Sequence, residues 1–356
     1  MKFKQLLCTA LLISLACTQV NAGTLRERLK ERLQQRNQEG NQEGNQEGNQ
    51  EDTGDLNELG GAGNAMSCED WAQKANRKEQ KADSQHAGPT PDLKDVAYGS
   101  EALEKLDVFL PKKSANNNLA PIILMVHGGG WCVGDKGGAI MTENKVARWV
   151  PKGFIFISIN YPMINDGKNA LAQANYVAKA AAFVQSNAQK WGSDATKLIL
   201  MGHSAGAHLV SLVNADAHIR QTNNLHPILG TVSLDAGAVD VVKQMPNVYP
   251  FLKTRYREAF GTTEAVWITA SPYQKLDNTA APWLGVCSTK RKDDPCAQAT
   301  AYAEKSNSLG IKSAVLPQTK SHKAINQELG LAGNYTSGVE AFMATLDPVI
   351  AKRLNQ

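Results

Sequence analysis

Lys197-Leu198-Ile199-Leu200-Met201-Gly202-His203-Ser204-Ala205-Gly206 is the stretch on which the fold turns. An apolar run leads into Gly202, and an Ala-rich segment leaves from Gly206. The pattern reads as a strand, a tight turn and a helix, with a serine at the apex. A side chain at either glycine would crowd so sharp a turn. The serine oxygen is thereby held out at the top of a sheet, where a base can reach it. A second signal lies upstream, where Pro121-Ile122-Ile123-Leu124-Met125-Val126 runs into His127-Gly128-Gly129-Gly130-Trp131. Successive glycines let backbone N–H groups turn toward one point, as a developing oxyanion requires. Gly128, Gly129 and Ala205, just after the serine, are the expected donors.

Outward from these motifs, apolar runs alternate with amphipathic segments. Strands are predicted over 106–110, 121–126, 154–160, 197–201, 229–234, 283–288 and 312–316. Helices are predicted over 138–150, 170–191, 205–217, 297–309 and 336–346, the second ending at Gly192. Such alternation implies a mostly parallel sheet with helices on both faces, and antiparallel edge strands from about Lys94. Ligands bind beyond the carboxyl ends of such strands, where both glycine motifs fall. Residues 238–277 interrupt the alternation and are the candidate for a small cap over the site.

Serine is a poor nucleophile at neutral pH and needs a base, itself oriented by a third group. Of the seven histidines, His322 follows the strand at 312–316, where the chain order serine, acid, histidine calls for the base. His127 and His203 lie inside the motifs and read as braces, and His208 sits one helical turn past Ser204. The acid is expected after the strand at 283–288, in Lys290-Arg291-Lys292-Asp293-Asp294-Pro295. Adjacent loop residues point different ways, so one of the pair serves. Asp293 is preferred as nearer the strand; Asp294 is second because an Asp–Pro junction suits a turn. Asp235, which closes the strand at 229–234, ranks third. Trp131 and Tyr161 are the residues expected to shape the substrate pocket.

The chain has 356 residues, a net charge of +4 and an ordinary apolar fraction. It can bury a sizeable core, and it carries no basic block interleaved with aromatics that would point to nucleic acid. Lys2 and Lys4, the apolar Leu6–Ala16 and Val20-Asn21-Ala22 read as a signal peptide over 1–22, hence a periplasmic or secreted protein with no stable membrane insertion. A lipoprotein reading with Cys17 as the lipidated residue ranks second, because Ser14 fits it poorly. Residues 23–64 open on the capping-box pattern Thr24-Leu25-Arg26-Glu27 and continue as three Asn-Gln-Glu-Gly repeats, a charged helix followed by a flexible linker. The catalytic domain is expected over 65–356. Cys68, Cys132, Cys287 and Cys296 remain after export, an even number suited to disulfides. Cys287 and Cys296 flank a loop and form the favoured pair, which leaves Cys68 for Cys132. Neither Cys-x-x-Cys nor His-Glu-x-x-His occurs, so no metal is expected.

These residues resemble the α/β-hydrolase superfamily. Within it they are similar to secreted bacterial carboxylesterases carrying a His-Gly-Gly-Gly-Trp motif, of hormone-sensitive-lipase-like and feruloyl-esterase-like type. The resemblance covers about 106–346 and includes Gly134-Asp135-Lys136, Ser158-Ile159-Asn160-Tyr161 and Ser204-Ala205-Gly206-Ala207-His208. It implies an α/β-hydrolase fold without a cofactor, with Ser204 as nucleophile, His322 as base, Asp293 or Asp294 as acid, and Gly128, Gly129 and Ala205 holding the oxyanion. Two departures stand out. Tyr161-Pro162 replaces the Tyr-Arg-Leu of many relatives, and the acid loop carries two aspartates and a cysteine. The implied activity is hydrolysis of small carboxylic esters through an acyl-enzyme. An amidase such as an arylformamidase, or a non-catalytic binding protein on the same fold, are the alternatives.

Overall fold

Eight strands form one sheet: β1 (Leu93–Ala97), β2 (Lys105–Phe109), β3 (Ala120–Val126), β4 (Ile155–Ile159), β5 (Ser193–His203), β6 (Gly230–Leu234), β7 (Trp283–Ser288) and β8 (Ser313–Gln318). Their order is β1-β2-β4-β3-β5-β6-β7-β8. β1 and β2, and β2 and β4, pair antiparallel, and every other pair is parallel. The computed structural model describes residues 66–74, 88–112 and 119–355. The signal peptide, charged helix and repeat linker expected over 1–64 lie outside the described residues.

The central strands are buried on both faces, and their alternate residues feed two cores. Ile122, Leu124, Val126, Leu198 and Leu200 pack on one side. There they meet α2 (Ala170–Asn187) and α3 (Ala205–Ala215) through residues such as Val177, Val184, Leu209 and Val213. Ile123, Met125, Ile199 and Met201 pack on the other, against α1 (Ala139–Trp149) and a helix over Asn334–Ala344. Every residue of α3 is buried, which its small first turn permits by letting the helix lie close to the sheet.

The predicted elements appear within a few residues of their expected bounds, and the differences have local causes. β5 begins early because Ser193 pairs with Ala120 across a bulge. α2 ends at Asn187, and a 3-10 turn over Ala188–Trp191 closes on Gly192. Residues 238–277 break into short helices, of which α4 (Lys253–Phe260) reaches the site. Both expected disulfides are present: Cys68–Cys132 and Cys287–Cys296 each hold their Cα atoms 5.2 Å apart. The first ties a helical segment over 68–74 to the glycine loop after β3. Among the described residues, no helix is long and apolar enough to cross a membrane.

Candidate active site

Ser204 sits between β5 and α3 with φ 56° and ψ −116°, a conformation that costs a non-glycine residue on the order of 1–3 kcal/mol. Hydrogen bonds hold it there. Its N–H donates to the Leu234 carbonyl at 3.0 Å, and its own carbonyl accepts from His208 and Gly237 at 3.1 Å. The flanking glycines are needed for space. A Cβ on Gly202 would stand 2.4 Å from the Gly206 carbonyl oxygen, and one on Gly206 would stand 2.2 Å from that of Val126. Gly206→Ala is therefore expected to destabilise the fold by about 1–3 kcal/mol and to lower turnover as the turn shifts. Urea unfolding and kcat measured on one preparation check both.

The histidine comes from the far end of the chain. β8 ends at Gln318, and the Ser321 side chain caps a short helix, His322–Gln327, by accepting from the Ala324 N–H. His203 Nε2 bonds the His322 carbonyl at 2.9 Å, so the brace expected of His203 acts on His322 itself. His322 Nδ1 lies 2.5 Å from Asp235 Oδ2. A carboxylate there fixes the proton on Nδ1 and leaves Nε2 with a lone pair. Ser204 and His322 line one cavity.

Asp293 and Asp294, the expected acids, are not at His322. Asp293 pairs with Arg291 through both oxygens, at 3.0 and 2.5 Å. Asp294 caps the helix Pro295–Ser308 by accepting from the Ala297 N–H at 3.2 Å. The reason is steric and electrostatic: the loop turns Arg291 inward, and Arg291 holds Asp293 while reaching Asp235 Oδ2 at 3.1 Å. Asp235 follows β6, whose Leu234 pairs with His203, so it stands one strand from Ser204. It is wholly buried and accepts from the Ser288 N–H at 2.9 Å. Burial pushes its carboxyl upward, but the Arg291 charge, His322 and the Ser288 N–H outweigh it and hold it below the ordinary carboxylate range. The available signal was its position directly after an apolar strand, the same signal that marks Ser204.

The glycine loop presses against the serine. A Cβ on Gly128 would lie 2.9 Å from the Ser204 Cβ. Ala205 opens α3, so its N–H has no carbonyl one turn back to bond. Among the described residues, no acceptor takes the N–H of Gly128 or Gly129. Behind the loop, Tyr161 donates to the His127 carbonyl at 2.9 Å and stacks on the His127 ring with centroids 4.5 Å apart. Tyr161 is fully buried and does not line the cavity, contrary to expectation, because its hydroxyl is drawn to that carbonyl. Asn160 supports the same loop by accepting from the Lys136 N–H and donating to Asp135. Trp131 does line the cavity, wedged between Tyr256 and Phe260 of α4 with its indole N–H on His208 Nδ1 at 3.2 Å.

An indole can only donate, so His208 Nδ1 accepts and its Nε2–H donates to the Ala270 carbonyl at 2.8 Å. Burial pushes His208 down to about 4 and likewise lowers His127 and His203. In the unfolded chain these imidazoles protonate near about 6.5. Below that pH the unfolded state binds more protons, so stability falls with pH. The expected loss runs from about pH 6.5 down to about 4 and reaches ~3 kcal/mol from His208 alone. Urea unfolding at about pH 7.5 and about pH 5 measures it, and His208→Gln should shrink the difference.

Among the described residues, the one group of potential metal ligands is Cys68, Cys132 and Glu258. Both sulfurs are bonded to each other, so neither is a thiolate available to a metal.

Sheet order, crossover helices and a strained serine between the fifth strand and its helix put the molecule in the α/β-hydrolase fold. Solved structures share it. Esterase B from Lactobacillus Rhamnosis superposes with a TM-score of 0.59 at 16% identity, over 80% of this chain and 93% of that one. A truncated carbohydrate esterase from gut microbiota superposes with a TM-score of 0.59 at 20% identity, over 76% of this chain and 100% of that one. Within this class the chain belongs to the BD-FAE family, whose model matches residues 106–300. Similar curated proteins include kynurenine formamidase of Danio rerio, 30% identical over 189 residues, 52% of this chain and 57% of that protein. Esterase LipC of Mycobacterium tuberculosis is 27% identical over 220 residues, 59% of this chain and 54% of that protein. The chain thus spans about half the length of these curated relatives.

Proposed function

We propose that this chain is an exported serine hydrolase that cleaves carboxylic esters through an acyl-enzyme. The observation that carries the proposal is the His322 Nδ1–Asp235 contact at 2.5 Å beside a strained Ser204 in the same cavity. His322 Nε2 takes the Ser204 proton as Oγ attacks the ester carbonyl. The N–H groups of Gly128, Gly129 and Ala205 stabilise the oxyanion, each typically contributing a few kcal/mol. His322 then returns the proton to the departing alcohol, and water repeats the cycle on the acyl-serine. Asp235 holds the imidazole in the tautomer that makes this possible, and Arg291 holds Asp235. The cavity measures about 90 Å³, below the several hundred Å³ of a drug-sized site, which favours short acyl groups or a single ring. The two disulfides suit an oxidising compartment. Hydrolysis of 4-nitrophenyl acetate and butyrate, with a burst of one nitrophenolate per chain, tests the reading. Absence of any ester cleavage would count against it.

A second reading keeps the machinery and changes the bond. The relative of Danio rerio is named a kynurenine formamidase, which favours an N-formyl amide as the alternative substrate. N-formyl aryl amides assayed beside the esters separate the two by kcat/KM.

A further inference from the structure

The cavity in front of Ser204 has a cationic wall that acyl transfer does not use. Arg255, on α4, is 3% exposed and lines the cavity together with Ser204 and His322. Its guanidinium carbon lies 4.0 Å from the centroid of the Trp71 ring, and its Nε is buried with no acceptor. Among the described residues, no protein carboxylate pairs with it. Arg291, which also lines the cavity, is held by Asp235 and Asp293. Glu258, three residues along the same helix, accepts instead from the Cys68 N–H at 2.9 Å. Burial lowers Arg255 only to about 10, so it is charged at neutral pH. An unpaired buried guanidinium is costly, and a ligand with an anionic acceptor would relieve that cost.

The wall behind Arg255 is fixed. Trp71 belongs to the segment tied down by Cys68–Cys132, and its ring covers the glycine loop so closely that a Cβ on Gly130 would come 2.1 Å from it. The cation therefore stands at a set place beside the loop that receives the oxyanion. Trp131, Leu252 and Tyr256 make the rest of the lining largely apolar.

We infer that Arg255 recognises a carboxylate on the substrate, so that the ester cleaved by Ser204 carries an anionic group in one of its halves. Arginine suits this role because its planar fork pairs with a carboxylate in two parallel hydrogen bonds while its face rests on an aromatic ring. The attack on an ester rests on the function proposed above, whereas anion binding does not. The carboxylate can belong to the acyl half, as in a half-ester of a dicarboxylic acid, or to the alcohol half, as in an acylated hydroxy acid.

Two matched pairs distinguish these sources: 4-nitrophenyl hexanoate against 4-nitrophenyl hemiadipate, and phenyl acetate against 4-acetoxybenzoate. In one pair the ratio of kcat/KM, anionic over neutral, is expected to fall at least about tenfold in Arg255→Met, through KM. Arg255→Lys, which keeps the charge without the fork, should recover part of it. Binding of benzoate and benzamide to Ser204→Ala protein, followed by calorimetry, provides a readout free of turnover. Benzoate is expected to bind more tightly, and Arg255→Met should erase the difference. Equal binding of benzoate and benzamide, with no anionic preference in either ester pair, overturns the inference even if all the esters are cleaved. No cleavage of any ester, with the benzoate preference intact, overturns the esterase reading and leaves the anion site standing.

Discussion

Ser204→Ala is expected to lower kcat for 4-nitrophenyl butyrate by on the order of 10⁴–10⁶, leaving only what binding and the oxyanion donors supply. The same variant should unfold at nearly the wild-type temperature. Ser204 precedes α3 but makes no side-chain capping hydrogen bond, so the substitution removes no helix cap, a loss that would cost about 1 kcal/mol. The strained backbone is held by main-chain bonds to Leu234, His208 and Gly237, all of which alanine keeps. Loss of turnover without loss of stability is the signature of a nucleophile. Parallel losses would mark a structural serine.

Asp235→Asn is expected to lower kcat by about 10⁴, because an amide opposite His322 Nδ1 admits the wrong tautomer and gives no charge to the imidazolium. Asp293→Asn should cost far less, about tenfold or under, since Asp293 acts only through Arg291. The two variants measured side by side on one neutral ester decide which carboxylate serves. Asp235→Asn should also destabilise the fold, since it leaves Arg291 partly unpaired in a buried site. The sign with pH follows from its lowered carboxyl. Its contribution is fully present above the ordinary aspartate value near about 3.9 and is lost as pH falls through the lower folded value.

Much of this was legible in the residues. The sheet was readable because β3 and the Leu198–Met201 part of β5 must satisfy two cores at once and so are apolar, and because Gly202 and Gly206 tolerate nothing larger at their close approaches. That His322 would share a cavity with Ser204 was readable from chain order, since the residue after a late strand end reaches the same edge of the sheet. The carboxylate beside His322 was not. Asp235 ranked behind Asp293 and Asp294 in sequence, and only the inward turn of Arg291 in three dimensions gives Asp293 a different partner and leaves Asp235 at His322. Tyr161 was misread for a similar reason: a tyrosine beside a glycine motif can face a cavity or brace the loop, and the His127 carbonyl behind it decides. Trp71 and Arg255 carried no local signal at all. They meet at 4.0 Å across more than half the chain, brought together by a disulfide on one side and α4 on the other.

The most direct test of the central claim is covalent. Incubation of the purified chain with a fluorophosphonate, followed by proteolysis and mass spectrometry, is expected to place one adduct on the peptide containing Ser204, and none after Ser204→Ala. Adduct on another residue, or unmodified Ser204 in protein that turns over esters, would contradict an acyl-enzyme built on this serine.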